Sequence, residues 1–356
     1  MSRLVCQDGP AVSTGVRTLD TKCVPLQTMR AASAGALHPL VQQRMPLAIG
    51  DAFFQSAISP DKPAYLVDHN VYGTVVFPGT GYLEIALAAG QLAAPHDAKV
   101  VVSLFGVTLK KPLILSPDTD STIQVLISEV NKDGLSNFKI SSAATSAEGE
   151  MASDLTALNK KSDRWNLHCK GQFSLRKAVH LAALDRARFE QDCTDSLSPG
   201  LFYRRLEQQG LNYGKQFQVV RSIRCGKQSA LGKVTLEPAT AASRYLLHPA
   251  LLDGCFQILG GAFSEGSPGR HVLVPVGIEK LEVHETGIST VWCHVRLRNS
   301  DLARRGMLCG DLTLFAESGE IVAEVAGLWL ARMAPEQLLP KPIEMVEDRL
   351  YQVQEQ

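Results

Sequence analysis

The chain of 356 residues lacks the residue spacings that bind a structural metal. Its eight cysteines are scattered, with no CxxC pair and no histidine at zinc-finger spacing from them. We therefore expect no metal site, and we predict that the thiols are reduced and mostly buried.

The chain also lacks an excess of charge and a long apolar run. Thirty-six basic residues balance thirty-six acidic ones, so no overall field attracts nucleic acid or an anionic membrane. The first residues contain no apolar segment of signal-peptide length, and no later stretch reaches the roughly 18 consecutive apolar residues of a membrane-spanning helix. These absences predict a cytoplasmic protein that binds neither nucleic acid nor membrane.

What is present is the composition of a globular protein with a full core, since 45% of the residues are hydrophobic and 20% are charged. Residues 1–36 mix small, polar and charged residues without periodicity, which indicates an N-terminal linker or arm. Prolines interrupt residues 335–356, which we interpret as a C-terminal linker. Between these ends we predict two folded units, 37–175 and 198–334, joined by the charged segment 176–197.

The two units repeat the same order of parts. Each has one long apolar helix, predicted at residues 79–94 and 249–263, followed by strand-like runs. A further helix opens the second unit, with Ser198 as its N-cap, a proline at its first position and Gly210 at its end. The predicted strands cover 99–109, 121–130, 135–145, 168–175, 272–283, 290–299, 307–318 and 320–333, with a hairpin turn at 131–134. The pattern predicts an α+β fold in which an antiparallel sheet wraps around one apolar helix, twice.

Asp253 is the main ionisable residue of the second apolar helix. Burial disfavours the charged carboxylate and raises its pKa, so the carboxyl is a candidate proton donor at neutral pH. Gln257 lies one helical turn further along the same face, where its amide can orient the carboxyl. The alternative is a helix-terminal aspartate that backbone groups satisfy.

His69 opens the second candidate site, in the stretch DHNVYGTVVFPGTGYLEIALAAG. Gly73 permits a tight turn, and Pro78 can fix the chain at the start of the first apolar helix. The free N–H groups of that helix start, beginning with Gly79, could stabilise negative charge on a thioester carbonyl. An imidazole at this place is a natural base. The alternative is a purely structural histidine before a turn.

These residues resemble one known pair of motifs. His69, Gly73 and Pro78 match the HxxxGxxxxP motif of polyketide synthase dehydratases, and Asp253 with Gln257 matches their DxxxQ motif within HPALLDGCFQ. Between the two, GLNYGKQF at 210–217 is similar to the family's GxxYGPxF element. That element retains Gly210, Tyr213, Gly214 and Phe217 but has Lys215 where proline is usual. Weaker likenesses extend the resemblance over residues 37–333.

The resemblance to the dehydratase domain of a modular type I polyketide synthase implies a double hotdog fold, with the active site between its halves. It implies that His69 abstracts the α-proton of a 3-hydroxyacyl thioester and that Asp253 protonates the departing β-hydroxyl. Tyr213 would bind the substrate hydroxyl or line the tunnel, and a packed core tyrosine is the alternative. No bound cofactor or metal is implied.

The resemblance also implies partners. The substrate would arrive on the phosphopantetheine arm of an acyl carrier protein, and the chain would work beside neighbouring domains of the same synthase module, as a homodimer. Carrier proteins tend to be acidic, so basic pairs are candidate docking charges: Lys110–Lys111, Arg204–Arg205 and Arg304–Arg305. His248, just before the aspartate helix, is interpreted as structural rather than as a second base.

Three alternatives to a dehydratase remain open at this point. A relative of the same fold can shift a double bond, although such members tend to lose the aspartate or the proline that are both present here. Another relative forms cyclic ethers after dehydration. The third alternative is a catalytically silent domain that only mediates contacts within the synthase.

Overall fold

The computed structural model describes residues 36–47, 51–94, 100–144, 165–177, 179, 181–263, 271–301 and 306–338. The predicted N-terminal arm, apart from its last residue, lies outside the described residues. So does most of the predicted C-terminal linker, whose first residues form a short helix, α5, at Pro335–Leu338.

The described residues contain fifteen strands. They are β1 (Gln43–Met45), β2 (Ala52–Ile58), β3 (Asn70–Val71), β4 (Thr74–Val75), β5 (Val100–Leu109), β6 (Ser121–Ile127), β7 (Ser136–Ala144), β8 (Asn166–Lys177), β9 (Asp195–Leu197), β10 (Val220–Cys225), β11 (Ser229–Thr235), β12 (Val272–Val283), β13 (Thr290–Asp301), β14 (Met307–Phe315) and β15 (Ile321–Met333). Thirteen form one antiparallel sheet in the order β1-β2-β6-β7-β8-β5-β12-β15-β14-β13-β11-β10-β9, and β3 pairs with β4.

The junction between the two halves lies inside this sheet. Strand β5 of the first half pairs with β12 of the second, and Leu104 stands opposite Leu281 in the register. Both leucines are fully buried. The two halves therefore share one continuous hydrogen-bonded ladder.

Each half wraps its sheet around one apolar helix. Helix α1 spans Gly79–Ala93, with residues 80–90 all buried, and helix α4 spans Pro249–Phe263, with residues 249–260 all buried. Such burial on every side follows from their nearly uniform apolar sequence. Helix α1 packs on β5–β8, and α4 packs on β10, β11, β13 and β14. This is the arrangement that the repeated order of parts predicts.

Two contacts tie the apolar helices to the opposite half. At their starts, the Thr80 hydroxyl donates a hydrogen bond to the Pro249 carbonyl at 3.0 Å. Further along α1, the fully buried Glu84 accepts hydrogen bonds from the backbone N–H groups of Leu246 at 2.7 Å and Leu247 at 2.9 Å. His38 Nε2 lies 3.0 Å from the same carboxyl. The single charged residue of α1 is thus a connection between the halves.

The remaining helices are short. The segment predicted as the inter-unit linker contains α2 (Arg186–Asp192) and the edge strand β9. Helix α3 spans Pro199–Gln209: the Ser198 hydroxyl accepts from Leu201 N–H, and Gly210 ends the helix in the left-handed conformation (φ 108°). The predicted cap and terminating glycine of this helix are both confirmed.

The predicted strands after each apolar helix are present with small shifts at their ends, and a turn joins β6 to β7 at the predicted hairpin. The sequence pattern did not reveal β1–β4 or β9–β11. In β1 and β3–β4 the strands are two or three residues long, too short to show a period. In β10, charged and apolar residues do not alternate strictly.

The six cysteines among the described residues are all free thiols, and five of them are buried, with Cys225 partly exposed. Within the described part of the chain, no helix combines the length and the apolar character that a bilayer crossing requires.

Candidate active site

His69 is held by a hairpin that its own motif forms. A 3-10 helix at Ala64–Asp68 ends at His69, and the chain then turns back through Tyr72 and Gly73, both at positive φ (51° and 80°). The turn brings Val76 beside His69: Val76 N–H donates to the His69 carbonyl at 3.1 Å, and His69 Nδ1 lies 2.7 Å from the Val76 carbonyl. Glycine tolerates this positive φ without a steric penalty. The spacing between His69 and Gly73 in the motif therefore places the glycine at the turn of this hairpin.

The end of the same motif starts helix α1. Pro78 is the N-cap residue in an extended conformation, and Gly79 is the first helical residue. A Cβ at Gly79 would lie 2.9 Å from Pro275 Cγ, closer than real Cβ contacts allow. The glycine thus lets strand β12 approach the helix start, where N–H groups have no acceptor within the helix.

Asp253 lies in the first turns of α4 and is 6% exposed. Its Oδ2 accepts a hydrogen bond from Gln257 Nε2 at 2.8 Å. Burial raises the pKa of Asp253 above its ordinary value of 3.8, and the charge of His69 and the hydrogen bond from Gln257 oppose that shift. The predicted orientation of the carboxyl by Gln257 is present in the structure.

The fold brings His69 and Asp253 together from the two halves. His69 Nε2 lies 4.0 Å from Asp253 Oδ1, and the two side chains are 10% and 9% exposed. Phe217 packs against the imidazole edge-to-face, with ring centroids 4.9 Å apart, and the Tyr213 ring lies 5.6 Å away. A titratable pair is therefore enclosed by aromatic side chains.

A narrow cavity continues from Asp253 between α3, α4 and strands β12 and β15. It is lined mostly by apolar side chains: Leu206, Gln209, Leu211, Tyr213, Asp253, Phe256, Gln257, Gly260, Leu273, Pro275 and Leu330. Its volume of about 30 Å³ holds one or two water molecules. A longer ligand needs the lining side chains to move apart.

The element GLNYGKQF forms the loop that carries Tyr213 and Phe217 to His69. Asp68, the residue before the histidine, anchors it: the Asp68 carbonyl accepts from Gly214 N–H and its Oδ2 accepts from Gln216 N–H, both at 2.8 Å. Position 214 needs glycine, because a Cβ there would overlap Oδ1 of the Asp68 carboxylate. The exposed Lys215 shows that the usual proline is not required for this anchoring.

Tyr213 is placed at the site rather than in a remote core. It borders the cavity beside Asp253 and stacks on Phe217 with an interplanar angle of 16°. Burial, together with the negative charge of Asp253, raises the pKa of Tyr213 well above its ordinary value of 10.0. Its hydroxyl therefore keeps its proton at neutral pH.

Sequence reasoning missed Tyr203, on α3, which lies behind Asp253. Its hydroxyl donates to Gln257 Oε1 at 3.1 Å. No short motif marked this residue, and only its place in α3, four residues after a helix-starting proline, distinguishes it in the sequence. The structure also gives the carbonyl groups of Val76 and Phe217 a part in the site, and a sequence pattern carries no signal for carbonyl groups.

Other residues singled out in the sequence lie away from the pair. His248 is buried, contacts the rings of Tyr65 and Tyr245, and has its pKa lowered to about 4 by burial, which fits the structural role expected for it. Lys111 Nζ contacts Asn166 on the surface. Arg204 borders an open cleft that shares Leu211 and Tyr213 with the cavity beside Asp253. The cleft is lined by Pro199, Gly200, Tyr203, Arg204, Glu207, Leu211, Asn212, Tyr213, Gln218, Val220 and Arg221. The pair Arg304–Arg305 lies outside the described residues.

Among the described residues, one group has metal-ligating atoms close together, namely Glu282, His284 and Glu324 at the far end of β12 and on β15. None of the three borders the cavity beside Asp253. Glu282 is already bound by Lys280 and by the hydroxyl of Ser103, and His284 by Glu324. Ordinary ion pairs and hydrogen bonds account for this group.

Comparison with known proteins places this geometry in a family. Residues 38–143 match the model described as "Polyketide synthase dehydratase domain", and residues 181–340 match "Polyketide synthase dehydratase N-terminal domain". A phenolphthiocerol/phthiocerol polyketide synthase polypeptide of Mycobacterium tuberculosis is 28% identical over 320 residues, which are 87% of this chain and 16% of that protein. The chain therefore spans only a small part of this relative's length.

The solved structures include the dehydratase domain from the CurK module of the curacin polyketide synthase. It is 31% identical, has a TM-score of 0.72, and the match covers 85% of this chain and 99% of that one. Two further CurK structures are described as inactive mutants, one with a histidine replaced by phenylalanine and the other with an aspartate replaced by asparagine. A dehydratase from GphF, 29% identical with a TM-score of 0.68, covers 83% of this chain and all of that one.

The predicted double hotdog is confirmed, and the chain belongs to the dehydratase domains of modular polyketide synthases.

Proposed function

We propose that this domain dehydrates a 3-hydroxyacyl thioester, carried on the phosphopantetheine arm of an acyl carrier protein, to the α,β-unsaturated thioester. The observation that carries the proposal is the buried pair His69–Asp253, which the two halves of the fold bring together with 4.0 Å between Nε2 and Oδ1, beside the cavity that Asp253 borders. Removal of water needs one base and one acid on adjacent carbons of the substrate. In a hydro-lyase mechanism such a pair supplies both proton transfers.

His69 acts as the base through Nε2. A carbonyl oxygen only accepts hydrogen bonds, so the contact of Nδ1 with the Val76 carbonyl at 2.7 Å places the ring hydrogen on Nδ1. Nε2, 4.0 Å from Asp253 Oδ1, then carries the lone pair. This nitrogen takes the α-proton of the substrate, which the thioester has made acidic.

Asp253 acts as the acid. Its burial favours the protonated carboxyl, and Gln257 fixes its direction. As the Cα–H electron pair becomes the new double bond, the Cβ–O bond breaks, and the Asp253 proton joins the departing hydroxyl to form water. His69 is then protonated and Asp253 ionised, and a proton passing from Nε2 to the carboxylate restores both.

The start of helix α1 supplies the third element of the mechanism. The negative charge that develops on the thioester oxygen needs hydrogen-bond donors. The Gly79 N–H is the first of α1, after Pro78, and it has no acceptor within the helix. We assign this N–H to the thioester carbonyl.

The related structures support the two main assignments. The CurK dehydratase is described as inactive when a histidine is replaced by phenylalanine and when an aspartate is replaced by asparagine. His69 and Asp253 are the histidine and aspartate that the motifs and the geometry bring together here. The polyketide synthase relatives support an acyl carrier protein and neighbouring synthase domains as proposed partners. The homodimer stays a prediction from the family resemblance.

A mass assay tests the proposal. The domain is incubated with 3-hydroxyacyl pantetheine and carrier-protein thioesters of several chain lengths and both hydroxyl configurations, and loss of water is followed. We expect dehydration by the parent protein, and a loss of about 10²–10⁴-fold in His69→Phe and Asp253→Asn. His284→Phe, which replaces a histidine outside the cavity, is the matched control and should keep full activity.

The same assay separates the alternatives. An unchanged mass with every thioester contradicts the proposal and indicates a silent domain. A GphF variant in the same family is described as isomerase-inactive, so an unsaturated thioester is tested as well. A double-bond shift without any dehydration of the hydroxy substrates indicates an isomerase and contradicts the proposal.

A further inference from the structure

Tyr203 closes a chain of hydrogen bonds behind the catalytic carboxyl. Its hydroxyl accepts from the backbone N–H of Val220 at 2.9 Å and donates to Gln257 Oε1 at 3.1 Å. The Phe217 carbonyl is a second, more distant acceptor at 3.4 Å. Gln257 Oε1 is the nearer of the two acceptors, so the hydroxyl hydrogen is assigned to the Gln257 amide.

The amide of Gln257 therefore has a fixed direction. Its Nε2 donates one hydrogen to the Phe217 carbonyl at 3.0 Å and the other to Asp253 Oδ2 at 2.8 Å, while Oε1 faces Tyr203. If the Gln257 amide were rotated by half a turn, its oxygen would face the Phe217 carbonyl and Asp253 Oδ2, which both accept hydrogen bonds. The nitrogen and the oxygen of the Gln257 amide thus each have a hydrogen-bond partner, and the partner of the oxygen is Tyr203.

This direction decides which oxygen of Asp253 carries the acidic proton. Oδ2 accepts from Gln257, so a neutral carboxyl holds its hydrogen on Oδ1. Oδ1 is the oxygen that lies 4.0 Å from His69 Nε2. The proton is therefore presented on the side where the base and the substrate meet.

We propose that Tyr203 is a positioning residue for the dehydration, which through Gln257 holds Oδ1 of Asp253 as the proton-donating oxygen. The inference rests on the proposed function of Asp253 as the acid. Tyr203 itself does not touch the reacting atoms in this scheme. Burial raises the pKa of its hydroxyl above the ordinary value of 10.0, so the hydroxyl keeps the hydrogen that it donates.

Tyr203→Phe tests this role, because it removes only the hydroxyl. We expect kcat to fall about tenfold, because the variant loses one hydrogen bond that stabilises the transition state. KM should stay nearly unchanged. Without a fixed amide, Oδ2 loses its donor and the carboxylate loses stabilisation. The high-pH limb of the kcat profile should therefore move to higher pH.

Two comparisons distinguish positioning from a merely structural effect. If Tyr203 acts through Gln257, the double variant Tyr203→Phe with Gln257→Leu should be no slower than Gln257→Leu alone. Tyr245→Phe removes a hydroxyl elsewhere in the second half and should leave the pH limb in place. Multiplying effects in the double variant, or an unchanged kcat and pH limb in Tyr203→Phe, overturn the inference.

A readout without turnover keeps this test separate from the test of the proposed function. In protein labelled with ¹³C at aspartate carboxyl groups, the resonance missing from Asp253→Asn identifies Asp253, and its titration is followed by NMR. We expect the Asp253 titration to move to higher pH in Tyr203→Phe. A parent protein that dehydrates nothing contradicts the proposed function, whereas an unmoved Asp253 titration contradicts the role of Tyr203.

Discussion

His69 Nε2 and Asp253 Oδ1 face each other at 4.0 Å, although one residue follows a 3-10 helix of the first half and the other lies within α4 of the second. Neither half alone contains both groups. The pair exists only because the two apolar helices meet at their starts, where Thr80 bonds to the Pro249 carbonyl.

The buried acid predicts a high-pH limb in the dependence of kcat/KM on pH. The proposed mechanism needs a protonated Asp253, so activity falls as this carboxyl ionises. The raised pKa of Asp253 places the high-pH limb above the ordinary carboxyl value of 3.8. Because the Gln257 hydrogen bond lowers that pKa, Gln257→Leu should move this limb to higher pH. A limb that moves to lower pH would contradict the assignment of the acid.

Asp253→Asn should stabilise the fold although it lowers the dehydration activity. The folded pKa of Asp253 is raised, so its contribution to stability is fully present below the unfolded value of about 3.9 and is lost as the pH rises through the folded pKa. Asparagine does not titrate and can still accept from Gln257. The melting temperature of the variant should exceed that of the parent by a margin that grows as the pH rises from about 4. The exposed Asp118→Asn is the control; equal effects of the two variants would count against a buried carboxyl with a raised pKa.

Removal of Glu84 should weaken the connection between the halves. Glu84→Ala leaves the N–H groups of Leu246 and Leu247 and the ring of His38 without their acceptor. We expect a loss of about 3–5 kcal/mol in the free energy of unfolding, measured with urea. Glu84→Gln keeps one acceptor oxygen and should lose less, and the exposed Glu320→Ala should change stability by under about 0.5 kcal/mol. A loss in Glu84→Ala as small as in Glu320→Ala would contradict this role of the buried carboxylate.

Gly214→Ala should disturb the loop that packs on His69. The new Cβ would overlap Oδ1 of Asp68, and Asp68 also holds Gln216. We expect a loss of about 1–3 kcal/mol in stability, typical of overpacking, together with reduced kcat. Lys215→Ala, at the exposed neighbouring position, should change neither. Calorimetry and the mass assay on both variants give the comparison, and parent-like values for Gly214→Ala would refute the steric argument.

The sequence allowed the prediction of the parts of this fold that local pattern specifies. Helix α4 begins and ends where its apolar run does, and α3 lies between its predicted cap and its predicted glycine. Short motifs singled out His69 and Asp253, which the fold brings within 4.0 Å of each other, and their catalytic roles stay a prediction. The resemblance to a family supplied their pairing, which no local pattern contains.

What escaped prediction depends on contacts between distant segments. Glu84 was visible as the single charge of an apolar helix, but its partners are two backbone N–H groups of the other half and a histidine before the first strand. Tyr203 was hidden because a tyrosine on a mixed helix face is common, and its role depends on Gln257 and Val220. The pairing of β5 with β12 is likewise set by the packing of whole halves.

The shared ladder between β5 and β12 has a mechanical consequence for turnover. Two halves joined along a strand pair cannot swing apart as a clamshell without breaking backbone hydrogen bonds in the middle of the sheet. On the proposed function, an acyl chain would therefore enter the narrow cavity with the ladder intact, and the side chains that line the cavity would have to move to make room for it.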